Sequence, residues 1–401
     1  MQLRRAPFSA VSVNPYPMTF ILSVLKWLIL FALILWGIYW AYMKFNPVFG
    51  GTPDAASMAR IQQSRAFAGD TFHNLTPTTL QTSEGEPMTL WSWMNNYFLP
   101  PTGKNPSEPL PSRALDTAAL KDGSLAWFGH SSVLFQTAGK RFLVDPVFYR
   151  ATPLPFGGQP FRQKHRTLPP NLPPVDAVLI SHDHYDHLDM RAIRELAPKV
   201  GHFYVPLGVK AHLQRWGIPD GKITEMDQLE TAELGDVKLT LTWSRHFSGR
   251  TFDGRNETLW GSWVVKSPDF SLFFNGDSGY DRHFRMIGER FGPFDIVLME
   301  NGAYNGNWAQ IHMKPEQSVQ AALDVRARLV LPIHWGKYDL AFHEWREPIE
   351  RFMAEYRRRM HPDDGRLPTF DGRPMKVATP LLGEVFSIDQ PPQTDWWKDA
   401  K

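Results

Sequence analysis

Between Ile180 and Asp189 the chain reads Ile-Ser-His-Asp-His-Tyr-Asp-His-Leu-Asp, which crowds His182, His184, Asp186 and His187 into one short stretch. Imidazole and carboxylate groups at this density are ligands for a divalent cation such as zinc. In extended backbone, residues two apart project to the same side, so His182 and His184 aim at one ion. Asp186 and His187 come after the turn and reach a second ion a short distance away. Four ligands do not close two such sites, and further histidines or carboxylates are expected at other strand ends. The sequence supplies them: His246 closes Trp243-Ser244-Arg245-His246, Asp277 sits between glycines in Asn275-Gly276-Asp277-Ser278-Gly279, and His334 follows Leu331-Pro332-Ile333. The set then divides into His182, His184 and His246 on one ion, and Asp186, His187 and His334 on the other, with Asp277 bridging. Two adjacent divalent ions acidify a shared water and hold a phosphodiester oxygen, so hydrolysis needs no nucleophile from the protein. Asp145 and Asp183 are candidates for orienting the ligand histidines through their second ring nitrogen.

Such a site needs strands that end at one cleft. From Ser124 onward short apolar runs recur at Leu125–Phe128, Val133–Phe135, Phe142–Val144, Ala177–Ile180, Phe203–Val205, Leu239–Trp243, Trp260–Val265, Leu272–Phe274, Ile296–Met299 and Leu329–Ile333, each the length of a buried strand. Helical patterns lie between or after them at Met190–Leu196, Val209–Trp216, Asp281–Phe291, Pro315–Val325 and Pro348–Arg359. The early strands are joined by tight turns and the later ones by helices, which predicts a mixed α/β sandwich with its helices outside. No short tandem repeat is evident.

Composition narrows the chemistry. The 401 residues carry 43 basic and 41 acidic side chains, a net charge of +2 that offers no broad footprint for nucleic acid. There is no cysteine, which excludes disulfides, thiolate ligands and a cysteine nucleophile together. From Phe20 to Met43 Lys26 is the only charge in an otherwise apolar run, long enough for a helix to cross a bilayer. The run ends in Trp36, Tyr39, Trp40 and Tyr42 rather than in small residues, which favours a retained anchor over a cleaved signal. Arg4, Arg5 and Lys26 outnumber Lys44 and Arg60, so the positive-inside tendency places the remainder of the chain on the non-cytoplasmic side, the periplasm if the source is bacterial. The expected organisation is a tail at 1–19, a transmembrane helix at 20–43, a linker and N-terminal wrap at 44–120, a hydrolase domain at 121–390 and a C-terminal tail at 391–401. Within the wrap, a short helix is expected at Ala55–Phe67, followed by an aromatic run at Trp91–Phe98.

The chain resembles the metallo-β-lactamase superfamily and, within it, the N-acyl-phosphatidylethanolamine-hydrolysing phospholipase D family. The resemblance rests on Trp127-Phe128-Gly129-His130-Ser131-Ser132, Leu143-Val144-Asp145-Pro146-Val147-Phe148, the histidine loop, His246-Phe247-Ser248-Gly249-Arg250, Asn256-Glu257-Thr258-Leu259-Trp260-Gly261-Ser262-Trp263, Gly276-Asp277-Ser278-Gly279-Tyr280 and His334-Trp335-Gly336. It implies an αββα sandwich of two mixed sheets, two zinc ions or another divalent pair, and cleavage between phosphate and N-acylethanolamine. It also implies that His312 faces the active site, joining Asp186 and Asp277 as catalytic residues and donating either to phosphate or to the departing alkoxide. A phospholipid substrate and a membrane are then the expected partners. The proline-rich loop Tyr149–Pro174, with Arg150, Arg162, Lys164, His165 and Arg166 beside Phe156 and Phe161, suits an anionic headgroup surface and equally a long solvated loop. Hydrolysis of a small soluble phosphorylated lactone or ester, and a non-catalytic metal-binding membrane protein, are the competing expectations.

Overall fold

A computed structural model describes residues 16–251 and 253–401. Most of the N-terminal tail expected at 1–19, with Arg4 and Arg5, lies outside them. The apolar run forms helix α1, Tyr16–Phe45, whose stretch Met18–Phe45 is long and apolar enough to cross a membrane, and its side chains are exposed from Met18 through Trp36.

Alternation of apolar side chains builds the rest. In β1, Ser124–Trp127, Leu125 and Trp127 join one apolar core, while Ala126 joins another on the opposite face. The same period of two separates Phe142 and Val144 from Leu143, and Ala177 and Leu179 from Val178. These strands are therefore covered on both faces, and they read as unbroken apolar runs. The first sheet holds β1, β2 (Val133–Thr137), β3 (Lys140–Val144), β4 (Val175–Leu179), β5 (Val200–Pro206) and β6 (Ile223–Met226). The second holds β7 (Thr231–Leu234), β8 (Val237–Thr242), β9 (Ser262–Ser267), β10 (Phe270–Phe274), β11 (Ile296–Glu300), β12 (Leu329–Ile333) and β13 (Lys376–Val377), while β14 (Val385–Ser387) returns to the edge of the first beside β1. Each sheet has seven strands, antiparallel in one half and parallel in the other. The halves share a topology that no repeat in the sequence betrays.

Helices follow the parallel strands, as crossovers require. Beyond α2 (Ala55–Gln63) and α3 (Leu90–Phe98), these are α4 (Met190–Leu196), α5 (Lys210–Arg215), α6 (His283–Phe291), α7 (Pro315–Asp324) and α8 (Glu347–Met360). The architecture is the αββα sandwich. Helix α2 stops at Gln63 instead of Phe67 because Phe67 pairs across a two-residue ribbon with Phe72.

The tail expected at 391–401 is not one. Trp396 and Trp397 are buried, and Trp396 stacks on Trp335 with ring centroids 5.4 Å apart, because two indoles this large gain more from burial than from solvent. Gly50–Lys401 form one compact unit, which takes in most of the segment expected to be a linker.

Lys337 is buried, its Nζ donates to the Val147 carbonyl at 2.6 Å, and burial pushes its ammonium down to about 7. The unfolded chain keeps this proton up to the ordinary lysine value, so between about pH 7 and 10 the unfolded state binds more protons and stability rises with pH. Lys337→Met is expected to flatten that rise in denaturant titrations of the detergent-solubilised protein. An unchanged slope would assign the pH dependence to other groups.

Candidate metal centre

His182 follows β4, His246 follows β8, Asp277 follows β10 and His334 follows β12, so the strand ends meet where open α/β sheets place ligands. The histidine loop works as its alternation predicts. His182 Nε2 and His184 Nδ1 lie 2.9 Å apart, and His246 Nε2 stands 3.2 Å from His184 Nδ1. Backbone bonds from His187 and Leu188 to the His184 carbonyl close the turn, at 3.0 and 2.8 Å, and bring Asp186 and His187 back to the cleft. Asp189, last of the loop, caps α4 through Arg191 N and Ala192 N and holds Phe148 N and Tyr149 N with its other oxygen.

Asp277 stands between two groups. Its Oδ2 lies 3.9 Å from His182 Nε2 and 3.7 Å from His246 Nε2, while its Oδ1 lies 3.1 Å from both His187 Nε2 and His334 Nε2. Asp186 Oδ2 is 3.5 Å from His334 Nε2 and 3.6 Å from His187 Nε2. The turn before Asp277 depends on glycine. Gly276 has φ +62°, and a Cβ there would fall 2.8 Å from Ser181 Cβ.

The outer partners fix the tautomers. His187 Nδ1 donates to Asp145 at 2.6 Å and His246 Nδ1 donates to the Ile311 carbonyl at 2.9 Å. Ser181 Oγ gives its proton to Asp145 and so accepts from His182 Nδ1 at 2.9 Å. Each of these rings is left with an Nε2 lone pair pointing into the centre. Lone pairs that converge at about 3 Å repel unless a cation lies among them. The Asp277 edge gives the same indication. His187 Nε2, His334 Nε2 and Asp277 Oδ1 are buried and approach one another without the geometry of a hydrogen bond. Burial pushes His182, His184 and His246 down, toward the neutral ligand form. Burial also opposes charge on His187, yet Asp277 and Asp186 hold it well above the ordinary histidine value, which shows how strongly these carboxylates demand positive charge. The donor set is nitrogen and oxygen only, it is rigidly oriented, and it fits divalent metal.

Two further members were given no role in the site by the sequence analysis, although His130 stands in the Trp127–Ser132 motif. His130, in the turn after β1, lies 2.9 Å from Asp186 Oδ2 and packs its ring 3.9 Å from that of His334. Reciprocal backbone bonds tie the two loops, His334 N to His130 O and His130 N to Trp335 O, both 2.9 Å. Glu300 ends β11, otherwise wholly apolar, and accepts from His312 Nδ1 and from Ser278 N. A polar residue closing an apolar strand was the available signal for Glu300, and the Trp127–Ser132 motif was the signal for His130. His130, Asp145 and His334 all take positive φ, at 53°, 38° and 68°, so backbone strain gathers at this cleft.

Asp183 does not orient a ligand histidine. Alternation turns it away from His182 and His184, toward His212 Nε2 at 3.2 Å, Gly249 N at 2.7 Å and Thr258 Oγ1 at 3.0 Å. That contact explains the Ser248-Gly249-Arg250 and Thr258 motifs. Arg250, buried, donates to the Asp183 carbonyl at 2.5 Å and the Leu188 carbonyl at 3.0 Å and lies 4.1 Å over the Tyr185 ring, strapping the histidine loop from behind.

Above the centre opens a cleft of about 690 Å³. His184, Asp186, Asp277 and His312 line it beside Leu80, Phe247, Trp308, Ile311 and Leu340, and Arg255 brings a cation to its wall. An αββα sandwich whose strand ends gather such donors is the framework of a metal-dependent hydrolase.

Comparison with known proteins agrees. The profile described as the Beta-lactamase superfamily domain matches residues 140–335. An uncharacterised protein of Mycobacterium tuberculosis is 38% identical over 367 residues, covering 87% of this chain and 93% of its own length. The N-acyl-phosphatidylethanolamine-hydrolyzing phospholipase D 1 of Caenorhabditis elegans is 35% identical over 236 residues, 55% of this chain and 65% of its own. The solved structure of a possible metal-dependent hydrolase from Veillonella parvula superposes with a TM-score of 0.52 at 17% identity, over 67% of this chain and 100% of that one, a likeness of fold. The chain belongs to the metallo-β-lactamase superfamily of metal-dependent hydrolases.

Proposed function

We propose that the protein is a membrane-anchored phosphodiesterase that cleaves N-acyl-phosphatidylethanolamine into N-acylethanolamine and phosphatidic acid. His182, His184 and His246 would hold one zinc ion and Asp186, His187 and His334 a second, with Asp277 offering an oxygen to each group. The observation that carries this reading is the cleft. An N, O donor set for two cations lies beneath apolar walls of Leu80, Phe247, Trp308, Ile311 and Leu340, with the cation of Arg255 beside Phe247, which suits an anionic phosphodiester carrying acyl chains. The phospholipase D activity for which the C. elegans relative is named and the apolar helix α1 support it.

When bound, such ions acidify water and neutralise the charge that grows on the phosphoryl oxygens. Water adds to phosphorus, the bond to the ethanolamine oxygen breaks, and the phosphate stays with the diacylglycerol. His312, oriented by Glu300 through Nδ1, would donate from Nε2 to the departing alkoxide in its doubly protonated form, and the proton released by the attacking water replaces the one it gives up. Arg255 binds a phosphate oxygen in ground and transition states alike, and so acts on binding. The loop at 149–174 is scaffold in this scheme. Arg150, Arg162 and Arg166 donate to the carbonyls of Gly157, Ser107 and Phe148, and the arginines of α8 pair with Glu316, Glu347, Glu355 and Asp395.

Detergent-solubilised full-length protein is expected to release N-acylethanolamine and phosphatidic acid from the phospholipid, read by mass spectrometry, and to leave soluble phosphodiesters and phosphorylated lactones untouched. Arg255→Gln is expected to raise KM about tenfold, with kcat changed less than about threefold. Turnover confined to the soluble compounds would refute the lipid assignment.

A further inference from the structure

Residues upstream of the superfamily domain reach into the metal centre. His246 lies in the irregular stretch between β8 and β9, where no strand ladder holds its backbone. Its backbone is held instead by one side chain. His246 N donates to Asn74 Oδ1 at 3.0 Å, and Asn74 Nδ2 donates to His246 O at 2.8 Å. Trp260 Nε1 donates to the same Oδ1 at 3.1 Å, which fixes the carboxamide in turn. Neighbouring Arg245 binds the same segment, with Nε 3.0 Å from Thr78 Oγ1 and Nη2 3.3 Å from the Pro77 carbonyl.

We propose that Asn74 is a positioning residue for the His182, His184 and His246 group, acting through the backbone of His246. The inference rests on the metal reading above. A carboxamide carries one acceptor and one donor side by side, so it pairs with a residue's N–H and C=O as a neighbouring strand would. The imidazole is already set in its tautomer by the Ile311 carbonyl, so the position of the His246 Cα decides where Nε2 falls. Alanine at 74 releases both ends of the clamp. Aspartate keeps the acceptor but sets a carboxylate oxygen against the His246 carbonyl.

The test measures zinc affinity by competition with a chelating dye, together with the spectrum of the cobalt-substituted full-length protein in detergent. For Asn74→Ala one of two metal equivalents is expected to bind about 10 to 100-fold more weakly with an altered cobalt spectrum, kcat falling and KM holding, and Asn74→Asp is expected to behave in the same direction. Thr82→Val cuts the bonds that the same upstream segment makes to the Gly306 carbonyl and Ala309 N, and is expected to leave both equivalents as in the parent. Equal weakening in Thr82→Val, or parent-like binding in Asn74→Ala, overturns the proposal. His246→Ala separates the two layers of argument. If that variant binds two equivalents as tightly as the parent, the metal reading itself is wrong and the Asn74 proposal falls with it.

Discussion

Asp277→Ala is expected to abolish the shared centre: bound metal falls from the two equivalents proposed to one or fewer, and the proposed phosphodiesterase activity falls at least about 10³-fold. The reason is geometric. Among the described residues, Asp277 alone presents one oxygen to His182 and His246 and the other to His187 and His334. Removing it leaves two histidine groups without a common carboxylate, so ions held by them would share no ligand. It also removes a buried negative charge that His187 and His334 hold well below the ordinary carboxylate range against the opposing effect of burial. Metal analysis of the gel-filtered variant beside its activity checks the expectation, and near-ultraviolet circular dichroism shows that the sandwich still forms. Two retained equivalents with undiminished turnover would leave Asp277 without a bridging role.

Arg250→Met is expected to lower stability by about 3 kcal/mol or more, a fall in Tm of several degrees, and to reduce activity although Arg250 touches no ligand atom. The guanidinium ties the carbonyls of Asp183 and Leu188, at the two ends of the turn that carries His184, Asp186 and His187. Both bonds leave one nitrogen, Nη1, of a flat guanidinium stacked 4.1 Å over the Tyr185 ring, a contact that an ammonium does not reproduce, so Arg250→Lys is expected to recover little. Tyr185 completes the arrangement, its hydroxyl donating to the Arg250 carbonyl at 2.6 Å. Thermal melts of parent and both variants, with metal content measured on the same samples, decide the matter. A melt unchanged in Arg250→Met would show the strap to be ornamental, and the Ser248-Gly249-Arg250 motif would need another explanation.

Much of the fold was legible because apolar runs of strand length are hard to mistake when helices alternate with them. Each of the ten runs read from Leu125 to Ile333 falls on an observed strand. The missed strands are the short or polar ones at the sheet edges or beside them. The exposed and intermediate residues of Thr231–Leu234 carry no hydrophobic pattern, and Lys376–Val377 and Val385–Ser387 are too short to show one. The C-terminal indoles misled because a tryptophan pair beside aspartate and lysine reads as a polar end. Their burial is decided by Trp335, some sixty residues earlier in the chain.

The site divides in the same way. Local order alone determined which side chains of the histidine loop share a face, because the pitch of extended backbone fixes it, and it marked His246, Asp277 and His334 as polar residues closing or following apolar strands. Only the tertiary structure decided that Asp183 faces His212, that His130 and Glu300 join the centre, and that Asn74 clasps His246. Those contacts bring together residues far apart in the chain, and their partners are chosen by the packing of two sheets and an upstream segment. No spacing along a sequence encodes distance across such a packed interior.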